Sequence, residues 1–507
     1  MKQLLYILLL PWLLLTACTP SIPGQSASAG RQPHLMPDYT DVTIPSNICP
    51  LNFMVKEECD DAIVRVTTGN EQYVVGSKEK KVRFDADKWR EILRQTAGGS
   101  MKIEVWTHGN EGWTAYEPFL INVAQEEIDS WISYRLIPPS YVSYEEIIIA
   151  QRDLTSFDEK VIYNTKLLTT QETGQCINCH SYQNYRTDNM LFHIRKDWGG
   201  TMLVHNGKVS KVDLKTPETL SAGVYPAWHP TEPLIAFSTN LTAQIFHNQD
   251  TAKIEVFDGA SDMILYDVER TEITNISSLE EEMEIFPTWS PDGKWLYFCT
   301  ARPPFDTAPV DSLGNPRDLK NLAMNNVEGI RYDLYRMPFD PTTRTFGTRE
   351  MLYEASADSM SVTLPRLSPD GRWVAFARGS YGCFQVWHPE ADIWILNTED
   401  GSRKPLTAIN SNCSESYPTF SSNGHWIMTA SRRDDNNFTR PYIAYFHPDG
   451  TCDKPFEVPL EDPELYLLGF KSYNRPEFMI EPVTVDPREF ARVSKDGIAV
   501  QATYKNE

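Results

Sequence analysis

A turn sequence recurs four times in the second half of this chain, and it restricts the fold more than any other feature. Its versions are Tyr225-Pro226-Ala227-Trp228-His229-Pro230, Phe286-Pro287-Thr288-Trp289-Ser290-Pro291-Asp292-Gly293, Leu364-Pro365-Arg366-Leu367-Ser368-Pro369-Asp370-Gly371 and Tyr417-Pro418-Thr419-Phe420-Ser421-Ser422-Asn423-Gly424. Each continues into an apolar run: Leu234 to Phe237, Leu296 to Phe298, Val374 to Phe376 and Ile427 to Thr429. The pattern is a hairpin. An extended strand carries the Pro, a Ser-Pro-Asp-Gly turn follows whose Gly accepts positive φ, and a buried strand returns. A repeated supersecondary unit buries its apolar face against copies of itself, so the period is read before any single strand.

A further strand of the unit recurs as Ile264-Leu265-Tyr266-Asp267, Leu334-Tyr335-Arg336-Met337, Ile393-Trp394-Ile395-Leu396 and Ile443-Ala444-Tyr445-Phe446. With these two strands the chain resembles the TolB-like β-propeller repeat, over roughly residues 200 to 480; Arg432-Arg433-Asp434-Asp435 also matches that repeat's linker. The resemblance implies a C-terminal propeller over 200–485, of five to seven blades with about six the family's habit, and a closing strand supplied from the ends of the chain. Unequal spacing of the Pro residues places inserted loops near Leu241 to Ser261, Arg302 to Ile330 and Gly379 to Ala391, where binding specificity would reside.

Before the repeat, residues 38–125 show short alternating runs at Leu51 to Val55, Ile63 to Val66, Tyr73 to Val75, Met101 to Val105 and Phe119 to Val123. Alternation turns one face inward and predicts an immunoglobulin-like β-sandwich as an accessory domain. One helix interrupts it, capped by Asp85 or Asp87, with Trp89, Ile92 and Leu93 on its apolar face and Gly98-Gly99 at its end. Residues 126–199 read as a short connector, and 486–507 as a C-terminal tail. The fold class expected is therefore mainly β.

Within the connector lies Cys176-Ile177-Asn178-Cys179-His180, which spells C-x-x-C-H, the attachment sequence for c-type haem. Two thiols at this spacing each form a thioether to a haem vinyl group, and the adjacent imidazole takes the iron. Cys176 and Cys179 are thus the candidate haem-binding residues and His180 the candidate proximal iron ligand. The same residues also suit a redox dithiol, or part of a zinc site, although no second C-x-x-C or H-x-x-x-H occurs to complete one. For the far side of the iron the downstream candidates are His193 or Met190, then Met202 and His205; a Met raises the potential relative to a second His. Arg195 and Lys196 are candidates to pair with the haem propionates.

The N-terminus agrees with that chemistry. Lys2 and the apolar run Leu4 to Leu15 form an export signal over 1–17, too short for a spanning helix. Leu15-Thr16-Ala17-Cys18 resembles a bacterial lipobox, which implies a lipid anchor on Cys18, and Thr19 in place of the Asp that marks inner-membrane retention implies an outer-membrane lipoprotein facing the periplasm of a Gram-negative cell. Residues 18–37, rich in Ser, Pro, Gly and Ala, read as a flexible tether.

A net charge of -22 and a pI near 4.9 exclude the basic footprint that nucleic-acid binding requires and leave the lipid anchor as the only membrane contact. Of nine Cys, the six at 49, 59, 299, 383, 413 and 452 allow up to three disulfides; Cys49 with Cys59, flanking an apparent hairpin, is the first pairing expected, and Cys299 reads as a small core hydrophobe. No G-x-S-x-G, H-E-x-x-H or persuasive carboxylate pair points to an enzyme. The function expected is electron transfer in the cell envelope by covalent haem c, with the propeller as a docking platform for an envelope protein. The alternative is a non-enzymatic TolB-like binding or scaffold lipoprotein whose C-x-x-C-H is structural or vestigial.

Overall fold

The computed structural model describes residues 20–139, 146–170, 172–247, 252–279 and 281–505. Cys18 and the export signal lie outside the described residues. The repeated turn is built by its Ser. In Ser290-Pro291-Asp292-Gly293 the Ser290 hydroxyl donates to Asp292 (2.6 Å) and accepts from the Trp295 amide (2.9 Å), while the Gly293 amide donates to the Ser290 carbonyl (2.9 Å). Gly293 sits at φ 70°, which a Cβ would disfavour. The units at Ser368 and Ser421 repeat these bonds, and the Ser fixes the same register each time by holding the first amide of the returning strand.

The chain is mainly β. Among the described residues six sheets follow one up-and-down antiparallel plan, each stepping outward from an innermost strand, and two of them gain a short parallel strand at the outer edge. In chain order those strands are Gln175–Gln183, Val224–Trp228, Met283–Trp289, Ser361–Leu367, Glu415–Phe420 and Ser472–Met479. Consecutive innermost strands are neighbours and the last returns to the first, so the sheets form a propeller-like ring around a central cavity. Ser472–Met479 closes it by pairing with Trp131–Ile137, from far earlier in the chain. Apolar clusters fill the spaces between sheets, as layered β structure requires.

Three expectations change here. Residues 126–199 are no connector: Trp131–Ile137, Ile148–Asp153 and Glu159–Asn164 are outer strands of the closing sheet, and Gln175–Gln183 and Arg186–Lys196 begin the next one. Their apolar residues, Ile149, Tyr163, Ile177 and Phe192 among them, form one core, which gives the segment its strand character. The stretch 486–507 is no free tail, since helix Pro487–Asp496 buries Phe490 and the strands Val500–Gln501 and Thr503–Tyr504 extend two sheets of the ring. Finally, the described part of the tether is ordered by pairing: Ala27–Ser28 lies beside Gly112–Ala115, Leu35–Met36 beside Phe53–Val55, and Arg31 is bidentate to Glu57.

The N-terminal residues form a seven-stranded and a three-stranded sheet with helix Ala86–Thr96. Asp85 caps the helix by accepting from the Lys88 amide, and Trp89, Ile92 and Leu93 are buried. Cys49 and Cys59 do not pair; the strand between them, Phe53–Val55, is bonded to Leu35–Met36 and Lys81–Val82 rather than forming a hairpin that would bring its flanks together. None of the eight described cysteines is in a disulfide.

This unit shares one core with the ring. Trp426, Met428, Ile443 and Phe456 pack with Tyr39, Ile44 and Val123, and the fully buried Trp426 indole donates to the Glu127 carbonyl at 3.1 Å. Trp426→Phe keeps most of the apolar contact and removes one of that carbonyl's two donors, the Asn423 side-chain amide (2.6 Å) remaining. The expected loss is about 1 kcal/mol, read as a lower urea midpoint with unchanged slope.

Candidate functional site

The six innermost strands share one irregularity. Each carries a bulge in which two residues oppose one on the next strand, and the first of the two has positive φ: Cys179 (56°), Tyr225 (49°), Phe286 (58°), Leu364 (54°), Tyr417 (51°) and Arg475 (50°). The second residue is Pro226, Pro287, Pro365, Pro418 or Pro476 in five strands and His180 in the sixth. A Pro suits a bulge because it has no amide hydrogen to leave unpaired. Opposite the bulge stands a buried Phe in four sheets, Phe192, Phe237, Phe298 and Phe376. Positive φ in non-Gly residues is uncommon and strained, so a ring of six concentrates strain where the strands face the cavity.

This register decides what the C-x-x-C-H can do. In a regular strand, residues three apart point to opposite faces. The bulge breaks that alternation, and Cys176, Cys179 and His180 all line the central cavity, of about 950 Å³. Both thiols are half-buried and unpaired. His180 is fully buried, and neither of its ring nitrogens has a hydrogen-bond partner. Burial, reinforced by the nearby Arg475 and Arg135 guanidiniums and opposed by Glu477, pushes its imidazole down to about 3, so the ring is neutral at ordinary pH. A neutral imidazole with both nitrogens unsatisfied in a cavity wall is a poor structural element and a good ligand.

The cavity is cationic in an acidic protein. Among the described residues Arg135, Arg195, Arg366, Arg432, Arg475, Lys196 and Lys253 line it, against the single carboxylate of Glu477. Glu477 bridges Arg366 and Arg475, at 2.9 Å each. Burial pushes its carboxyl up, but the Arg475 and Arg366 charges outweigh that and hold it below the usual carboxylate range. Arg135 donates to the Ile177 carbonyl (3.1 Å) and the Asn474 side chain (2.8 Å), tying the first innermost strand to the last. Arg432 lies 3.4 Å from the Trp387 ring centre. Arg195 stands directly across from Cys176 in the strand pairing and, with Lys196, is exposed at the cavity wall.

These residues fit a haem c group: two thiols and an unsatisfied imidazole on one wall, space of ligand size, and guanidiniums for two carboxylates. Among the described residues no group of three or more His, Cys, Asp or Glu converges as a metal ion would need, so the three side chains do not form a zinc-like cluster.

The distal candidates are not brought to this cavity. Met190 and His193 lie on the second strand, across from Tyr182 and Asn178. Met190 is fully buried in the apolar core toward the closing sheet, beside Ile149 and Phe192. The His193 side chain faces the other way, with Nδ1 2.9 Å from the Thr201 hydroxyl and its ring 6.0 Å from that of Phe237, at a separate cavity of about 330 Å³. Alternation along a regular strand sends the two to opposite sides, which sequence spacing alone hides. Met202 is core and His205 pairs with Asn206 at a strand end.

The sequence reading missed Tyr225, Tyr417, Arg366, Arg475 and Glu477. Aligning every X-Pro of the repeat would have found them. Asn474-Arg475-Pro476-Glu477 is a fifth copy of the unit seen in Ser416-Tyr417-Pro418-Thr419, and Asn178-Cys179-His180-Ser181 is the sixth, in which His replaces Pro.

Near the cavity but outside it, Glu284 on Met283–Trp289 is fully buried with one carboxylate oxygen unpartnered. Burial, with smaller effects of Asp262 and Glu282, pushes its carboxyl from 4.5 up to about 7. A raised folded value means its contribution to stability is complete below about pH 4.5 and is lost as pH rises through 7. Glu284→Gln is therefore expected to stabilise the fold at pH 8, by up to about 3 kcal/mol, and to change little at pH 5, as read by melts at both pH values.

No protein-family model matches the chain, and no curated protein does. Solved structures similar to it include one of two prolyl endopeptidases (9% identity, TM-score 0.33, 65% of this chain and 42% of that one) and a GH74 enzyme of Niastella koreensis (8%, 0.31, 63% and 54%). A DUF4784 family protein from Bacteroides caccae is also similar (9%, 0.29, 87% and 98%). This chain thus spans less than two thirds of the first two.

Proposed function

We propose that this chain is an exported protein carrying one haem c in the central cavity of a six-bladed, TolB-like propeller, and that it transfers electrons in the cell envelope. The observation that carries the reading is the joint placement of Cys176, Cys179 and the unpartnered, neutral His180 on one wall of a cationic cavity. Bound haem supplies one-electron chemistry. The chain's own residues would hold it: Cys176 and Cys179 would form the thioethers, His180 would offer a ring nitrogen to the iron, and Arg195 and Lys196 would meet its carboxylates. The other innermost strands exclude water with Phe286, Leu364 and the Tyr225 and Tyr417 rings.

In this reading the propeller is the cofactor's housing, and the N-terminal sheets, expected as an immunoglobulin-like sandwich, brace the closing side of the ring. The lipid anchor on Cys18 and an outer-membrane address remain part of the proposal; among the described residues no helix is long and apolar enough to cross a membrane. The test is expression of the full chain in cells that attach haem c, followed by reduced and oxidised spectra and a pyridine haemochrome assay. One haem c per chain is expected. Colourless protein from cells that mature a control cytochrome would overturn the reading in favour of a binding scaffold.

A further inference from the structure

Beyond the haem reading, and without resting on it, we infer that one sector of the central cavity is an anion site, in which Arg366, Arg432 and Arg475 bind a small molecule through its carboxylate or phosphate groups. The three side chains line the cavity and come from three consecutive sheets of the ring. Arg366 stands on Ser361–Leu367, Arg432 directly follows the strand Trp426–Ser431, and Arg475 stands on Ser472–Met479. The innermost strand between the first and the last, Glu415–Phe420, pairs with Trp426–Ser431 and so places Arg432 in the same sector.

The way each guanidinium is held leaves it available to an anion. Arg475 donates through Nε, and Arg366 through one terminal nitrogen, to the same oxygen of Glu477, at 2.9 Å each. A guanidinium carries five N–H donors, so the shared carboxylate gathers two forks from separate sheets and uses a small part of either. Arg432 is 3% exposed, and its bonds go to backbone carbonyls, Nε to Val386 (2.6 Å) and one terminal nitrogen to Asn437, while its guanidinium carbon lies over the Trp387 ring. Carbonyls orient a guanidinium without neutralising it, and a buried charge held in that way gains most from an anion. The planar fork of Arg also matches carboxylate and phosphate oxygens two at a time. In a chain of net charge -22, such a cluster makes a local positive field that draws an anion to the cavity over the rest of the surface.

Inorganic phosphate is the probe, titrated by calorimetry into the full chain produced with and without haem attachment. Haem-free protein is expected to bind one phosphate per chain. Arg366→Gln and Arg432→Gln should each weaken that binding about tenfold or more, the weight of one hydrogen bond to a charged group. Arg90→Gln, the same charge change on the exposed face of helix Ala86–Thr96, should leave it unchanged. Glu477→Gln gives an independent readout: with the carboxylate gone, phosphate should raise the melting point of that variant more than it raises that of wild type. Loss of phosphate binding on haem loading would support the site with the haem's own carboxylates as its occupant, and binding to both forms would support it with a separate anionic ligand. No saturable phosphate binding by haem-free wild type, or binding that Arg366→Gln, Arg432→Gln and Arg90→Gln change alike, would overturn the inference. Failure of the chain to take up haem overturns the haem reading alone, because the titration of haem-free protein does not depend on it.

Discussion

Replacing both Cys176 and Cys179 by Ser is expected to abolish covalent haem, so that denaturing electrophoresis shows a protein band with no haem stain. Each single variant should retain one possible thioether and stain weakly. The effect is large because each thiol has a separate bond to make, while the polypeptide should tolerate the change. Both thiols are half-buried and free, and neither has a disulfide to lose. Substitutions of this sort usually fall within about 0.5 kcal/mol. The double variant should therefore be folded and colourless, with an unchanged melting profile relative to haem-free wild type. Equal staining of wild type and double variant would contradict the account.

Replacing Glu477 by Gln is expected to cost about 3–5 kcal/mol, because it removes the single carboxylate that serves two inward guanidiniums. Glu477 is 8% exposed and Arg475 9%, so water replaces little of what Arg475 loses, whereas the Arg366 side chain, 29% exposed, is partly hydrated. Gln keeps the shape and leaves Arg366 and Arg475 facing each other without a counter-charge. The depressed Glu477 carboxyl also sets a pH window. Its stabilisation is present above the unfolded value of 4.5 and is lost as pH falls through the lower folded value. Wild type should thus weaken below about pH 4.5 more steeply than Glu477→Gln in urea titrations across that range. A midpoint shift worth under about 1 kcal/mol would show that the bridge is an incidental contact.

Most of the ring was legible in the sequence because the Ser-Pro-Asp-Gly turn is local chemistry: Ser290, Asp292 and Gly293 make their bonds within five residues. The sheets without that turn were harder to see. The first, Gln175–Gln183, replaces aromatic-Pro with Cys179-His180, so a motif read for its chemistry concealed its structural register. The closing sheet joins Trp131–Ile137 to Ser472–Met479 across most of the chain, a pairing that no local pattern announces. Burial shared with distant strands likewise turned 126–199 from an expected connector into blade-forming strands.

At the site itself, the chemical identity of Cys176, Cys179 and His180 was legible, but not the cavity that they share. Residue spacing suggested that Met190 and His193 fold back over the cofactor. Strand alternation instead sends one into the core and the other to a second cavity. The cationic lining was invisible in a chain of net charge -22, because Arg135, Arg366 and Arg475 are far apart in sequence and come from two sheets, Arg135 and Arg475 meeting only through the pairing that closes the ring.

Peptide mapping of haem-loaded protein tests the central claim most directly. After denaturation, alkylation and tryptic digestion, the peptide between Lys166 and Arg186 should carry the mass of one haem, with neither Cys176 nor Cys179 alkylated. Recovery of that peptide without haem and with both thiols alkylated, from protein matured alongside a haem-loaded control cytochrome, would contradict it.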